Sequence, residues 1–78
     1  MGKLFCLFIV TSNSCYTMIA GSRPTEDEET LDKIRDLVIK IRPGHGKTWS
    51  AMVLEVDGSG SLTQESERRV QFVRSGLS

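Results

Sequence analysis

The sequence of 78 residues has little of several things on which a small protein usually depends. It contains two cysteines, one histidine and one tryptophan, and aromatic residues make up 6% of the chain. Ten basic residues balance ten acidic ones, so the net charge at pH 7 is zero. Because nucleic-acid binders and proteins that bind anionic membranes usually carry a clustered basic excess, this balance argues against both kinds of partner.

Catalytic and metal-binding groups are scarce as well. His45 is the only histidine, and it lies between two glycines with no thiol or carboxylate beside it in the sequence. Catalysis by a nucleophile needs a base and a group that orients the base, and the sequence indicates no such set. We therefore predict that the protein is not an enzyme and has no metal site and no cofactor, and that His45 is a solvated loop residue.

What the sequence does have is an apolar beginning. Lys3 precedes an unbroken apolar run over 4–10, and residues 11–22 are polar and rich in small side chains. This order is typical of a secretory signal peptide, and the run is shorter than the about 20 residues that a membrane-spanning helix needs. We expect a signal peptide over 1–22 and a small secreted, extracellular domain over 23–78. The alternative is that the run forms a buried N-terminal strand of a cytosolic protein.

Both cysteines, Cys6 and Cys15, fall within the predicted signal. A mature chain over 23–78 would then contain no thiol and no disulfide, although small secreted proteins usually depend on disulfides. Such a chain needs a well-packed core or a partner, or it stays disordered.

Residues 23–78 show three predicted elements. Thr25 and the acids that follow it predict the start of a helix over 26–42, which Pro43 and Gly44 end. Residues 48–56 and 69–74 predict strands, separated by a long exposed loop over 57–68. The predicted fold class is α+β, with one helix packed on a small two-stranded sheet. Its predicted core consists of Leu31, Ile34, Val38, Ile41, Trp49, Val53, Leu54, Val70 and Phe72.

Three short motifs stand out, and two of them are incomplete. Residues 43–48 lack the first glycine of a phosphate-binding loop. Residues 55–66 place Gly60 where a calcium-binding EF-hand loop needs its glycine, but Ser66 replaces the bidentate glutamate. Arg68 and Arg69 form a dibasic pair at which a secreted peptide precursor could be cleaved. Nucleotide binding is not expected, while a calcium loop and a peptide precursor stay open as alternatives.

The order helix, strand, exposed loop and strand resembles the potato inhibitor I family of serine-protease inhibitors. Ser22-Arg23-Pro24 resembles the opening of that family, and Thr30-Leu31-Asp32-Lys33-Ile34-Arg35 resembles its helix. Asp57-Gly58-Ser59 is similar to the start of its inhibitory loop, and Arg69-Val70-Gln71-Phe72-Val73 to the strand after that loop. The resemblance covers residues 22–75. Arg23, Glu28, Leu62, Ser66 and Gln71 depart from the family pattern, and the final strand of the family is absent.

This resemblance implies an inhibitory loop supported by Arg69, with the scissile bond between Thr63 and Gln64. The loop would comprise Ser59, Gly60, Ser61, Leu62, Thr63 and Gln64.

Cystatins offer a competing resemblance, since residues 25–39 are similar to their helix and residues 71–76 to their Gln-x-Val-x-Gly loop. The sequence therefore predicts a secreted inhibitor of an extracellular peptidase. The alternative is an orphan secreted polypeptide or peptide precursor without enzymatic activity.

Overall fold

The structure is a computed structural model that describes residues 2–19 and 21–78, so Met1 and Ala20 of the predicted signal segment lie outside the described residues. The chain is α+β, as predicted, but it has more elements than the sequence indicates. In chain order they are strand β1 (Leu4–Thr11), strand β2 (Cys15–Thr17), helix α1 (Glu28–Ile41), strand β3 (Trp49–Val56) and helix α2 (Gln64–Arg74).

The apolar run near the N-terminus forms the central strand of a three-stranded antiparallel sheet, whose order is β2-β1-β3. β1 pairs with β3 along its whole length and with β2 only at its C-terminal end. The prediction of a two-stranded sheet is therefore wrong. The prediction assigned the apolar run over 4–10 to a signal peptide and so left it out of the sheet. A run that is apolar on both faces is typical of a central strand that is covered on both sides.

One helix covers each face of the sheet. Alternate side chains of β1 point to opposite faces. Cys6, Phe8 and Val10 pack in one cluster with Val70 of α2. Leu7 and Ile9 pack in a second cluster with residues of α1 and β3, which include Val38, Trp49 and Val53. The fold is thus a sheet between two helices, and removal of β1 would take away the strand that both clusters share.

Helix α1 confirms the predicted helix over 26–42, with slightly different ends. Asp27 caps it, because the carboxylate Oδ1 accepts a hydrogen bond of 3.1 Å from the Thr30 backbone N–H. Thr25, which the sequence predicted as the residue that caps the helix, instead forms two backbone hydrogen bonds with Phe5 of β1. Ile41 was predicted in the core but is 71% exposed, and the partly buried Ile39 packs on the core in its place.

The predicted strand over 69–74 is wrong, because these residues belong to α2. Thr63 caps this helix by accepting a hydrogen bond from the Ser66 backbone N–H, and acidic residues follow in the first turn. Val70, Val73 and Leu77 recur at helical spacing and pack against the core cluster of Cys6 and Phe8. Phe72 falls on the opposite side of the helix, so it is 81% exposed rather than buried.

The outer edge of β3 is covered at both ends by its own chain. The backbone N–H of Gly46 donates to the Trp49 carbonyl oxygen at one end. Leu62 forms an isolated bridge with Val56 at the other end. Such covering protects a sheet edge against pairing with another strand. Among the described residues, neither helix is long and apolar enough to cross a membrane.

Candidate functional site

The predicted inhibitory loop begins in a tight turn that Asp57 organises. Its Oδ1 accepts hydrogen bonds from the Ser59 backbone N–H at 2.8 Å, the Ser59 hydroxyl at 2.6 Å and the Ser61 backbone N–H at 3.1 Å. These bonds, led by the one from the Ser59 hydroxyl, lower the pKa of the Asp57 carboxyl. The backbone at Gly60 has φ of 87°, a conformation that favours glycine. The turn is therefore held by its own hydrogen bonds, and residues 57–59 are exposed.

The second half of the loop has a different geometry from the one that the resemblance implies. Leu62 is partly buried and packs against the core. Thr63 is extended, with φ of −69° and ψ of 164°, but Gln64 is already the first residue of α2. The proposed scissile bond between Thr63 and Gln64 thus lies at the start of a capped helix, and the loop joins a strand to a helix rather than two strands.

Arg69, the predicted support of that loop, lies on α2 about 1.7 turns beyond the cap at Thr63. Its side chain lines a cavity of about 250 Å³ together with Lys3, Glu28, Glu55 and Glu65. Among the hydrogen bonds and ion pairs of the described residues, none joins the Arg69 side chain to residues 59–64. The structure therefore brings Arg69 to the end of the sheet near the starts of both helices.

The single histidine is not a solvated loop residue. His45 is partly buried, and its ring packs edge-on against Trp49 with the ring centroids 5.1 Å apart. Its Nε2 lies 3.3 Å from the Ser50 hydroxyl oxygen, but Ser50 is buried at the end of β3. Among the hydrogen bonds of the described residues, none joins His45 to a carboxylate that would orient it as a base. The contacts of His45 with Trp49 and Ser50 hold the loop between α1 and β3 against the start of β3.

Trp49 confirms its predicted role in the core. It is buried and packs in the same cluster as Val38 of α1. Its Nε1 donates a hydrogen bond of 2.8 Å to the Pro43 carbonyl oxygen, and the Arg42 guanidinium lies 4.9 Å from the ring centroid. The indole therefore links the residues that follow α1 to the start of β3.

The described residues include no group of three or more histidine, cysteine or acidic side chains placed to hold a metal ion. In the EF-hand-like segment, the Asp57 carboxylate is used within its own turn and the Ser66 hydroxyl donates to the Glu55 carbonyl oxygen at 2.8 Å. Both groups are therefore used in hydrogen bonds within the chain, whereas an EF-hand loop uses side-chain oxygens to bind calcium.

A feature that the sequence analysis missed is an exposed apolar surface on the α1 side of the molecule. We call it the α1–β2 surface and define it by three residues. Leu37 is 57% exposed and Ile41, one turn further along α1, is 71% exposed. Tyr16 of β2 is 49% exposed and pairs with Ile9, whose side chain belongs to the α1-side core cluster. Cross-strand partners share a face, so Tyr16 lies on the same side of the sheet as α1.

Leu37 lies on the solvent side of α1. The residues of this helix that pack on the core are Leu31, Ile34, Val38 and Ile39. At 3.6 residues per turn, Leu37 is turned by about 100° from Val38 and by about 200° from Ile39. Its side chain is therefore directed away from the sheet, and Ile41 follows one turn later at the end of the helix.

The signal for this surface was present in the sequence. The apolar residues of α1 extend around more of the helix than one sheet can cover, from Leu37 through Val38 to Ile39. The prediction used only the stripe that contains Ile34, Val38 and Ile41, and it treated the whole stripe as buried.

Comparison with known proteins finds no matching protein family, no similar curated protein and no similar solved structure.

Proposed function

We propose that the protein is a non-enzymatic protein-binding module that docks a partner through the α1–β2 surface. The observation that supports this proposal is the position of Leu37, Ile41 and Tyr16, which are large apolar side chains exposed on one side of the molecule. Scattered apolar residues are common on protein surfaces, but grouped ones are characteristic of interaction sites. Tyrosine is in addition one of the residues enriched at binding hot spots.

The energetics favour docking at this surface. Full burial of a leucine or isoleucine side chain contributes about 1.5–3 kcal/mol relative to full exposure. Leu37 and Ile41 still have more than half of their surface to bury, and Tyr16 adds an aromatic ring with a polar end. Both α1 and β2 are fixed by the sheet, so little conformational entropy is lost when they bind.

Inhibition of a peptidase through Ser59 to Gln64 stays a prediction, and it is one special case of protein binding. The hydrogen-bonded Asp57 turn supports it, because inhibitors of this kind need a fixed loop. The helical conformation from Gln64 onward does not support it, because a peptidase binds its substrate in an extended form.

Incubation of the full chain with chymotrypsin-like and subtilisin-like proteases at equimolar ratio tests this case. One slow cut between Thr63 and Gln64 with loss of protease activity would establish it, and unchanged protease activity would exclude it for those classes.

Selection from a random peptide library displayed on phage tests the main proposal. The full chain is immobilised, and the enriched clones are then compared on wild type and on the double variant Leu37→Asp/Ile41→Asp. Phe72→Asp is the matched control, because Phe72 is a more exposed apolar residue on the other helix. We expect clones that bind wild type and Phe72→Asp equally and lose binding to the double variant. Clones that bind all three proteins equally, or a selection without enrichment, would overturn the proposal.

A further inference from the structure

Backbone groups of β3 are directed away from the sheet at its outer edge. Successive residues of a strand direct their N–H and C=O groups to opposite sides. In β1, the Leu7 carbonyl oxygen accepts a hydrogen bond of 2.9 Å from the segment that follows β2. The next residue, Phe8, therefore bonds to the other side, where the register pairs it with Met52 of β3. Met52 thus bonds to β1, whereas Ala51 and Val53 direct their backbone groups to the outer edge.

The middle of this edge lacks hydrogen-bond partners, although its ends have them. The carbonyl oxygens of Trp49 and Glu55, which also point outward, accept bonds from the segments that flank β3. Within residues 2–19 and 21–78, no hydrogen bond reaches the N–H or C=O groups of Ala51 and Val53 on that side. The covers described above therefore protect only the two ends of the edge.

The unpaired groups belong to residues that water hardly reaches. Ala51 and Val53 are both more than nine-tenths buried, and their side chains belong to the α1-side core cluster. Buried backbone N–H and C=O groups are nearly always paired, because leaving them without a partner is unfavourable. In a sheet, the usual partner is a neighbouring strand. These four groups therefore indicate the position of a strand that the described residues do not supply.

The covers at both ends determine what fits beside β3. His45 forms a bridge with Trp49, and Leu62 forms one with Val56, so both lie where a neighbouring strand would run. Residues 50–55 between them span about 17 Å, at about 3.3 Å per residue. β3 of a second copy has eight residues and carries the same covers, so two such edges would collide at both ends. A short extended segment that turns away at both ends does not meet this obstacle.

We propose that the middle of the β3 edge binds an extended segment of another protein, about five residues long, as a fourth strand of the sheet. Main-chain hydrogen bonds to Ala51 and Val53 hold this segment. The side chains of β3 belong to an apolar cluster on each face, so β-branched apolar residues suit the segment, and proline is excluded at its bonded positions. The site uses none of the residues that define the α1–β2 surface, so it does not depend on the proposed function.

A capped, fluorescein-labelled peptide tests the proposal on the full chain. It has five alternating valine and threonine residues between two lysines. One derivative carries N-methyl groups on the valine amides and the other carries them on the threonine amides, so each loses the donors on one side of the extended peptide. Fluorescence anisotropy gives Kd of all three peptides for wild type and for Leu37→Asp/Ile41→Asp.

The unmodified peptide should bind, and one methylated peptide should bind about tenfold more weakly than the other, because only one side of the peptide bonds to β3. The double variant should give the same values as wild type. No binding at about 1 mM unmodified peptide, or equal Kd for the two methylated peptides, would overturn the proposal. Loss of binding in the double variant would also overturn it, because the peptide would then occupy the α1–β2 surface.

Hydrogen exchange followed by NMR locates the contact on β3. In the free chain, the amides of Ala51 and Val53 should exchange about tenfold faster than those of Met52 and Leu54, which bond to β1. Saturating peptide should slow exchange at the first pair and leave the second pair unchanged. If all four amides exchange equally slowly without peptide, the edge is closed and the proposal is wrong.

Discussion

The guanidinium of Arg74, at the end of α2, holds the carbonyl oxygen of Thr11, at the end of β1, with the donor Nε and that oxygen 3.0 Å apart. The Nη2 group of the same side chain donates to the Ser14 carbonyl oxygen, also at 3.0 Å. One side chain thus joins α2 to the turn between β1 and β2. Both bonds are partly buried and charge-assisted, which makes them stronger than bonds between neutral groups.

Arg74→Met should therefore destabilise the fold by about 1.5–3 kcal/mol, because two carbonyl oxygens lose a charged donor. Urea unfolding followed by circular dichroism measures this change in the free energy of unfolding. Arg68→Met is the matched control, since Arg68 is an exposed residue of the same helix, and it should change the stability by less than about 0.5 kcal/mol. Equal effects of the two substitutions would contradict the role of Arg74.

Ser66 makes the second fixed contact between α2 and the sheet. It is buried, donates to the Glu55 carbonyl oxygen at 2.8 Å and accepts a hydrogen bond of 3.0 Å from the Thr63 hydroxyl. We expect Ser66→Ala to lower the free energy of unfolding by about 1 kcal/mol, because these bonds are lost at the start of the helix. The exposed Ser12 provides the control substitution Ser12→Ala, which should leave the urea midpoint unchanged.

The two cysteines should differ in reactivity. Burial raises the pKa of both thiols, and the nearby Arg74 guanidinium offsets part of that rise for Cys15. Cys15 is also the less buried of the two. Because the thiolate is the reactive form, labelling of the native chain at pH 7.5 with a thiol reagent should be slow at both positions and faster at Cys15. Mass spectrometry of quenched time points separates the two. Faster labelling of Cys6 would contradict its place in the core.

The protein should lose stability in acid. Hydrogen bonds from Thr30 lower the pKa of the Asp27 carboxyl, and those from Ser59 and Ser61 lower the pKa of Asp57. A carboxyl whose pKa is lower in the folded state stabilises the fold above its unfolded pKa of about 4, and this contribution is lost as the pH falls through the folded value. The urea midpoint should thus fall between pH 5 and pH 2. Asp57→Ala should weaken that dependence. A variant as pH-dependent as wild type would show that the turn does not contribute.

A chain of residues 23–78 should not fold. It lacks β1 and β2, so the two helices and β3 would expose the apolar side chains that now meet β1. Circular dichroism and thermal unfolding of this fragment beside the full chain check the expectation, and we expect a cooperative transition only for the full chain. A cooperative transition in the fragment would show that the signal-peptide segment is dispensable for folding. Mass spectrometry of the protein made in a secretory host would show directly whether residues 1–22 are removed.

The elements with clear local signals were predictable from the sequence. Acidic residues before a stripe of Leu31, Ile34 and Val38 gave α1, and the apolar run between Trp49 and Val56 gave β3. The segment Val70 to Val73 misled the prediction, because β-branched residues favour strands locally, whereas its cap at Thr63 and the spacing to Leu77 favour a helix. Here the cap and the tertiary contacts outweigh local propensity.

The candidate site was less predictable. Exposure of Leu37 and Ile41 depends on which side of α1 packs on the sheet, and apolar residues in succession at 37, 38 and 39 do not reveal that side. The predicted inhibitory loop came from short motifs that occur in the same order as in an inhibitor family. The order of such motifs along the chain does not reveal that Gln64 begins a helix. Both errors concern which neighbours a segment meets in the fold.

The central position of β1 also has a consequence during synthesis. Leu4–Thr11 leaves the ribosome before Trp49–Val56, and at 5–20 residues per second its pairing partner follows on the order of seconds later. During that interval the apolar strand has no sheet to join and is open to any factor that recognises apolar nascent chains. The competition between capture of this segment and arrival of β3 would then decide whether these residues reach the middle of the sheet.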